Sequence, residues 1–117
     1  MTEQLTVTVG KADGRDTVLT VSGELDRDVT HVLEEAGEAA LASGVERLVL
    51  DLRGLTFCDS SGLRILVQLH RLAEDRGVSL RLAELHPSVS TVVEVVNLDR
   101  MLALYPTVAA ALLRPAG

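Results

Sequence analysis

Hydrophobic and polar positions alternate near the start of the chain in a pattern typical of β-strands. Leu5–Val9 alternates aliphatic residues with threonine, which is the period of a strand with one buried face. Thr17–Val21 has a similar composition and follows a turn signal at Asp13-Gly14. We expect this second strand to stop at Ser22-Gly23. The two strands could pair directly, or the first could lie at an edge elsewhere in the sheet.

Two longer segments have the spacing of amphipathic helices. In Asp28–Ala42 the apolar residues fall close to one face, and the glutamates lie outside it. Asp26 or Asp28 could cap the first turn, and Ser43-Gly44 is a typical helix end. Leu63–Arg76 repeats the pattern. We therefore predict a helix over each segment.

Apolar runs between and after these helices predict further strands. Leu48–Leu52 is nearly unbroken in its apolar character, as in strands that are covered on both faces of a parallel sheet. Val78–Leu82 alternates with period two, and Met101–Leu104 is short and apolar. Each of the three segments is predicted to be a strand.

Two shorter helices are predicted in the last third of the chain. A Pro-Ser pair opens the first, with Ser88 as its cap and Val92, Val95 and Val96 facing inward. This valine-rich run also has high β-propensity, but its position after Pro-Ser favours a helix. The second helix is predicted over Val108–Arg114.

The predicted element order is β-β-α-β-α-β-α-β-α. Strands that alternate with helices indicate an α/β protein with a single, mostly parallel (mixed) sheet and right-handed crossovers. We expect about five strands and about four helices in it. A length of 117 residues suits one domain over residues 1–117.

Composition and charge narrow the functional classes. The chain has 11 basic and 17 acidic residues and a net charge of −6, which opposes binding to nucleic-acid phosphates and anionic membranes. One tyrosine and one phenylalanine are its only aromatic residues, so platforms for base stacking are lacking. One cysteine and three scattered histidines show no metal-ligand spacing. We expect no cofactor, no metal, no direct nucleic-acid contact and no membrane contact.

Compartment and assembly are expected to be simple. The polar N-terminus lacks the basic-then-apolar pattern of a signal peptide, and no run of roughly 18 apolar residues predicts a spanning helix. A single cysteine forms no internal disulfide, which suits a reducing cytoplasm. A small acidic domain with one contact face favours a monomer.

The turn Asp59–Leu63 follows the most buried predicted strand and starts a helix. Asp59 or Ser60 could serve as N-cap, which places Ser60 and Ser61 at the start of the helix. Backbone N–H groups are unpaired there and the helix dipole is positive, so a phosphate on a serine would be tolerated. The same pattern is also ordinary capping chemistry without further function.

Three motifs in order resemble those of the STAS-domain anti-anti-sigma factors, also called anti-sigma factor antagonists. Phe57–Arg64, after the strand Leu48–Leu52, is similar to the central motif of the family. Val21–Asp26 resembles its second strand and its Gly-Glu-Leu-Asp loop. Asn97–Arg100 with Leu104–Thr107 resembles the stretch before its last helix. The similarity covers nearly the whole chain and implies a STAS fold.

The resemblance implies a partner-switching role. In the family, the unmodified antagonist binds an anti-sigma factor that is also a serine kinase, which frees a sigma factor. The kinase phosphorylates the serine after the motif's aspartate, here Ser60, and a serine phosphatase resets the protein. Cys58 stands where the family more often has an aliphatic residue or methionine, and Arg64 stands where some members have glycine and many others have arginine. The partner-binding residues carried over are Asp26, Asp59, Ser60, Ser61, Gly62, Leu63 and Arg64.

Two other hypotheses about the function remain open. The strand-turn-helix around Ser60 resembles the nucleophile elbow of a hydrolase, but the Gly-x-Ser-x-Gly pattern is absent, and His31, His70 and His86 are poorly placed as bases. We therefore expect no enzyme. STAS domains also occur in anion transporters and in stress-signalling complexes. The second of these would make the chain an interaction module that is not regulated by phosphorylation.

Overall fold

The computed structural model describes residues 4–11 and 14–113, within which strands and helices alternate as the hydrophobic pattern predicts. The strands are β1 (Leu5–Lys11), β2 (Asp16–Leu25), β3 (Arg47–Cys58), β4 (Ser79–Ala83) and β5 (Ala103–Tyr105). The helices are α1 (Thr30–Ala42), α2 (Ser60–Asp75), α3 (Pro87–Val95) and α4 (Val108–Leu112), with one 3-10 turn over Leu98–Arg100. The predicted α/β class and element order are confirmed.

The described strands form one sheet in the order β1-β2-β3-β4-β5. β1 pairs antiparallel with β2 and lies at the edge, whereas the other pairs are parallel. The sequence allowed β1 either to pair with β2 or to lie at an edge elsewhere in the sheet, and the structure shows pairing with β2. Because β2, β3, β4 and β5 run in one direction, their carboxyl ends meet at the same edge of the sheet.

The two faces of the sheet are covered unequally. Alternate side chains of a strand point to opposite faces, so β3 directs Leu48, Leu50 and Leu52 to one face and Val49 to the other. The leucine face joins a large aliphatic core with α1, α2 and α3, whereas Val49 packs in a small cluster with Ala83 and Ala111 of α4. The central strand is therefore buried on both sides, as its apolar run predicts.

The two strands that lead to the predicted site are longer than expected. β2 continues past Ser22-Gly23 to Leu25, and β3 continues past Leu52 to Cys58. Register shifts between Thr20 and Ser22 and between Gly23 and Glu24 let β2 continue beside β3. The predicted stop at Ser22-Gly23 is therefore wrong, because the irregularity is a bulge within the strand and not its end.

Helix bounds differ from the prediction in informative ways. α2 begins at Ser60, three residues before the predicted Leu63, so both serines belong to its first turn. α1 begins at Thr30 with Val29 as N-cap and has no side-chain capping bond. α3 is capped by His86, not by Ser88.

The face that α3 buries also differs from the prediction. Val89 and Val93 are buried and Val92 is partly buried against the core, but Val95 and Val96 are 74% and 49% exposed. The prediction that Val95 and Val96 face inward is wrong. Val95 lies on the opposite side of α3 from Val93, and Val96 is the C-cap beyond the last helical residue.

Two arginines fix α4 at the amino end of the parallel strands. Arg47, which is buried and pairs with Asp16 at 3.6 Å, donates a hydrogen bond to the carbonyl of Leu112 at 2.6 Å. Arg81 donates to the carbonyls of Ala111 and Leu113 at 2.8 and 3.3 Å. The carbonyls at the end of a helix lack intrahelical partners, so these bonds satisfy them.

The last strand and the last helix differ slightly from their predicted bounds. β5 begins at Ala103, later than the predicted Met101, and α4 ends at Leu112. Arg114, the predicted end of the last helix, and Asp13 of the predicted turn lie outside the described residues. In residues 4–11 and 14–113, no helix combines the length and the hydropathy needed to cross a membrane.

Candidate functional site

The candidate site lies where β2 and β3 end and α2 begins. Leu25 and Cys58 are register partners at the carboxyl ends of the two parallel strands, and the Asp59 N–H donates to the Leu25 carbonyl at 3.1 Å. Asp26 and Asp59, which directly follow the paired residues, are thereby brought to the same edge of the sheet. The structure thus groups the Gly-Glu-Leu-Asp segment, whose first three residues end β2, with the Asp59–Leu63 turn.

Asp59 is the N-cap of α2. Its backbone is extended, and its carboxylate Oδ1 accepts a hydrogen bond from the Gly62 N–H at 3.0 Å. The Leu63 N–H donates to the Asp59 carbonyl at 3.0 Å, which is the first intrahelical bond. Such a cap satisfies one of the unpaired donors of the first turn, so Asp59 fixes where the helix starts.

Gly62 lets α2 approach the strand ends closely. A Cβ at this position would stand 2.7 Å from Cys58 Sγ, 2.8 Å from Leu25 Cγ and 2.9 Å from the Leu25 carbonyl oxygen. Side chains do not tolerate such distances, and one of the three neighbours is backbone. The first turn of α2 is therefore held against both strands.

Ser60 is exposed in the first turn of α2, whereas Ser61 is partly buried. Neither hydroxyl makes a hydrogen bond within the described ranges 4–11 and 14–113. The unpaired N–H groups and the dipole at a helix start favour an anionic substituent. Ser60 is thus the more accessible of the two serines for group transfer.

Asp26 stabilises its own loop. Its Oδ1 accepts a hydrogen bond from the Asp28 N–H at 2.9 Å, and its Oδ2 accepts one from Gln4 Nε2 at 2.8 Å. The carboxylate therefore orders the β2–α1 loop without capping α1. It also places a second negative charge at the edge that holds Asp59.

An open groove of about 350 Å³ lies beside Ser60. Its lining is mostly apolar and consists of Ser60, Leu63, Arg64, Val67, Val96 and Leu98. We call it the Ser60 groove. Three of the predicted site residues line it, which are Ser60, Leu63 and Arg64. The sequence pattern predicted that Val96 faces the core, and it predicted no contact role for Leu98. The side of the groove that Val96 and Leu98 form was therefore not predicted.

Phe57 adds an exposed aromatic side chain to the same edge. It is 47% exposed and lies one residue before Cys58 at the end of β3. The only phenylalanine of the chain directly precedes the Cys58-Asp59 pair. This position in the sequence could have indicated that Phe57 belongs to the site. Exposed aromatic and aliphatic side chains around a pocket are typical of protein contact surfaces.

Cys58 has an inert environment. Burial, and secondarily the charge of Asp59, raise the pKa of the Cys58 thiol to about 12. The thiolate is the reactive form of cysteine, so at neutral pH this group stays protonated. Cys58 therefore acts as a small apolar side chain under the first turn of α2.

Within the described residues, neither serine of the candidate site has the histidine contact that a hydrolase would need. His70 Nε2 lies 3.5 Å from a carboxylate oxygen of Glu74, and His86 Nδ1 lies 2.9 Å from the hydroxyl of Ser88. His31 is exposed on α1. No histidine in residues 4–11 and 14–113 contacts Ser60 or Ser61 by hydrogen bond. Within the same ranges, no three His, Cys, Asp or Glu side chains are grouped as metal ligands.

Comparison with known proteins gives one consistent family. A family model described as "Mlab, STAS domain" matches residues 10–106. An anti-sigma F factor antagonist of Paenibacillus polymyxa is 27% identical over 75% of this chain and 76% of its own length. A candidate anti-anti-sigma factor of Mycobacterium tuberculosis is 32% identical over 86% of this chain and 70% of its own length.

A solved structure agrees in fold over almost the same extent. The crystal structure of an anti-sigma factor antagonist from Mycobacterium paratuberculosis superimposes with a TM-score of 0.84 at 30% identity. The superposition covers 92% of this chain and 91% of the other. The chain therefore belongs to the STAS-domain family that includes these anti-sigma factor antagonists.

Proposed function

We propose that this protein is an anti-sigma factor antagonist that binds a serine-kinase anti-sigma factor and is released by phosphorylation of Ser60. The observation that carries the proposal is an exposed serine in the first turn of α2, beside an open apolar groove. Binding the anti-sigma factor would free a sigma factor, and a serine phosphatase would restore the binding state. The protein would act as a monomer in the cytoplasm, without catalysis and without touching nucleic acid.

The proposed contact surface combines an apolar area with a phosphorylation site. The Ser60 groove and Phe57 supply apolar area, while Asp26 and Asp59 supply negative charge. Contacts of this kind are sensitive to added charge, because a buried apolar interface does not solvate a phosphate. A partner that presents apolar side chains with a basic rim fits such a surface.

Phosphorylation would act here through charge. A phosphoryl group adds about −1.5 to −2 charge at neutral pH, at an edge that already holds two carboxylates. Close packing of Gly62 against Leu25 and Cys58 holds the helix start in place. The change is therefore expected at the surface, where the cost of burying the phosphate in an apolar contact opposes binding while the fold stays the same.

The site of phosphorylation is tested with the anti-sigma kinases encoded in the same genome. Each purified kinase is incubated with the protein and ATP, and the phosphate is located by mass spectrometry. We expect modification of Ser60 in the wild type and in Ser61→Ala, and none in Ser60→Ala. Phosphate on Ser61 alone, or no phosphate with any of the kinases, would contradict the assignment.

The same kinases serve in a binding assay with charge-matched variants. Ser60→Asp is expected to weaken binding by about tenfold or more, since a charge in an apolar contact costs over 1 kcal/mol. Ser79→Asp adds the same charge at the start of β4, at the opposite edge of the sheet, and should bind as the wild type does. Equal affinity of Ser60→Asp and Ser79→Asp would exclude charge at Ser60 as the switch.

A further inference from the structure

Ser60 and Arg64 lie one turn apart on the same side of α2. Both side chains are exposed and both line the Ser60 groove. Residues four apart on a helix have their Cβ atoms about 6 Å from each other. Arg64 makes no ion pair or hydrogen bond in the described parts of the chain, so its guanidinium is available.

The carboxylates of the site are already engaged by other donors. Asp59 accepts from the Gly62 N–H, and Asp26 accepts from the Asp28 N–H and from Gln4. A phosphoryl group on Ser60 would therefore add an uncommitted anion one helical turn from Arg64. An acidic group four residues before a basic one is also the favoured order on a helix, and arginine matches a phosphate with two parallel donors.

We propose that Arg64 binds the phosphoryl group of phosphorylated Ser60 within the same molecule. This rests on the proposed function only for the identity of the modified residue. The contact draws the guanidinium toward the start of the helix, so the aliphatic part of Arg64 lies across the Ser60 groove beside Leu63. Phosphorylation thereby changes two parts of the surface at once, since it adds charge at Ser60 and withdraws a cation and apolar area from the partner.

The test measures the phosphoryl group directly and needs no kinase. Phosphoserine is installed at position 60 by an expanded genetic code, and its second ionisation is followed by phosphorus NMR as a function of pH. The comparison uses the wild type, Arg64→Gln and Arg71→Gln. The two variants lose the same charge from exposed positions of α2, but residue 71 lies roughly 16 Å from residue 60 along the helix axis.

A bound guanidinium favours the doubly charged phosphate and so lowers its pKa. We expect the phosphoserine pKa of Arg64→Gln to lie about 0.2–0.4 above that of the wild type. Arg71→Gln should match the wild type, because its distance exceeds the screening length of about 8 Å at physiological salt. The difference between wild type and Arg64→Gln should shrink in 1 M salt, at which the screening length is about 3 Å.

Two results would overturn the proposal. The first is an equal phosphoserine pKa in the wild type and Arg64→Gln, and the second is an equal rise in both variants, which would indicate a general effect of charge. Either result leaves the partner-switching role untouched. Conversely, an anti-sigma kinase that fails to bind the unmodified protein would refute the proposed function without altering the titration.

Discussion

Burial determines the protonation state of Cys58 at the end of β3. Cys58 is 6% exposed beneath the first turn of α2, and its thiol stays neutral because the low-dielectric surroundings and the adjacent Asp59 disfavour the thiolate. A group that ionises more easily in the unfolded chain than in the native state makes stability depend on pH. The folded protein thus favours protonated Cys58.

The stability of the wild type should fall in alkaline solution because of Cys58. Burial raises its pKa from the ordinary value of 9.0 to about 12, so above pH 9 the thiol ionises only in the unfolded chain. The free energy of unfolding then falls as pH rises, by at most about 1.4 kcal/mol per pH unit. Urea denaturation at pH 8, 9 and 10 measures this slope.

Cys58→Ala is the control, since it removes the ionisable group. It should be less stable than the wild type at pH 8 because packing is lost, and this deficit should narrow toward pH 10. Parallel pH profiles of the two proteins would show that Cys58 does not titrate differently in the folded and unfolded states.

At the scale of elements, the junction of β2, β3 and α2 decides how rigid the site is. Gly62 packs against Leu25 and Cys58 from the two strands, and the cap by Asp59 sets the same turn. Because one of the atoms nearest to a Cβ at Gly62 would be a carbonyl oxygen, relief would require a backbone shift and not a side-chain rotation. The junction therefore tolerates no added volume.

Gly62→Ala is expected to destabilise the protein by about 1–3 kcal/mol, as overpacking of a close contact does. The better helix propensity of alanine does not compensate, since it contributes only about 1 kcal/mol. Chemical denaturation measures the change. Gly10→Ala is the control because its Cβ would meet only the Val18 carbonyl oxygen, at 3.7 Å. Equal stability of the two variants would contradict the close packing at Gly62.

At the scale of the whole molecule, polar and apolar surfaces are distributed unevenly. The chain carries a net charge of −6, yet the edge with Ser60 exposes Phe57, Val96 and the apolar lining of the groove. At the opposite edge, Arg47 and Arg81 are occupied with the end of α4. The edge with Ser60 therefore has the composition of a contact surface.

Val96→Asp should weaken binding of the anti-sigma kinase by about tenfold or more, because it places a charge in the wall of the Ser60 groove. The fold should be unaffected, since Val96 is 49% exposed. Val9→Asp makes the same substitution at another exposed valine, on the edge strand β1, and should leave affinity unchanged. Calorimetric titration compares them, and similar affinities would place the contact outside the groove.

Much of this architecture could be predicted from the sequence, because its determinants are local. Alternation in Leu5–Val9, the apolar run Leu48–Leu52 and the capping residue Asp59 each act within a few neighbours. What escaped prediction depends on packing across the fold. Gly23 suggests a strand end locally, but its positive φ of 112° belongs to a bulge beside β3.

The wall of the groove escaped prediction for a related reason. Four valines flank Glu94 between positions 92 and 96, so one polar residue does not decide which of these valines the core takes up. Val89 and Val93 lie four residues apart on the buried side of α3. Val96 is the C-cap, just beyond the last helical residue, and lines the groove. The position of Val96 therefore depends on where α3 ends, which the pattern of the sequence does not fix.

The close packing of Gly62 has a consequence for the time course of the proposed phosphorylation switch at Ser60. Because the start of α2 is held closely against two strands, the proposed phosphorylation of Ser60 is not expected to move this backbone to a second arrangement. The response of the protein should then show no hysteresis and no lag after phosphoryl transfer. The partner would then stay released only while the phosphoester on Ser60 persists, so the rates of the kinase and the phosphatase alone would set the duration of the response.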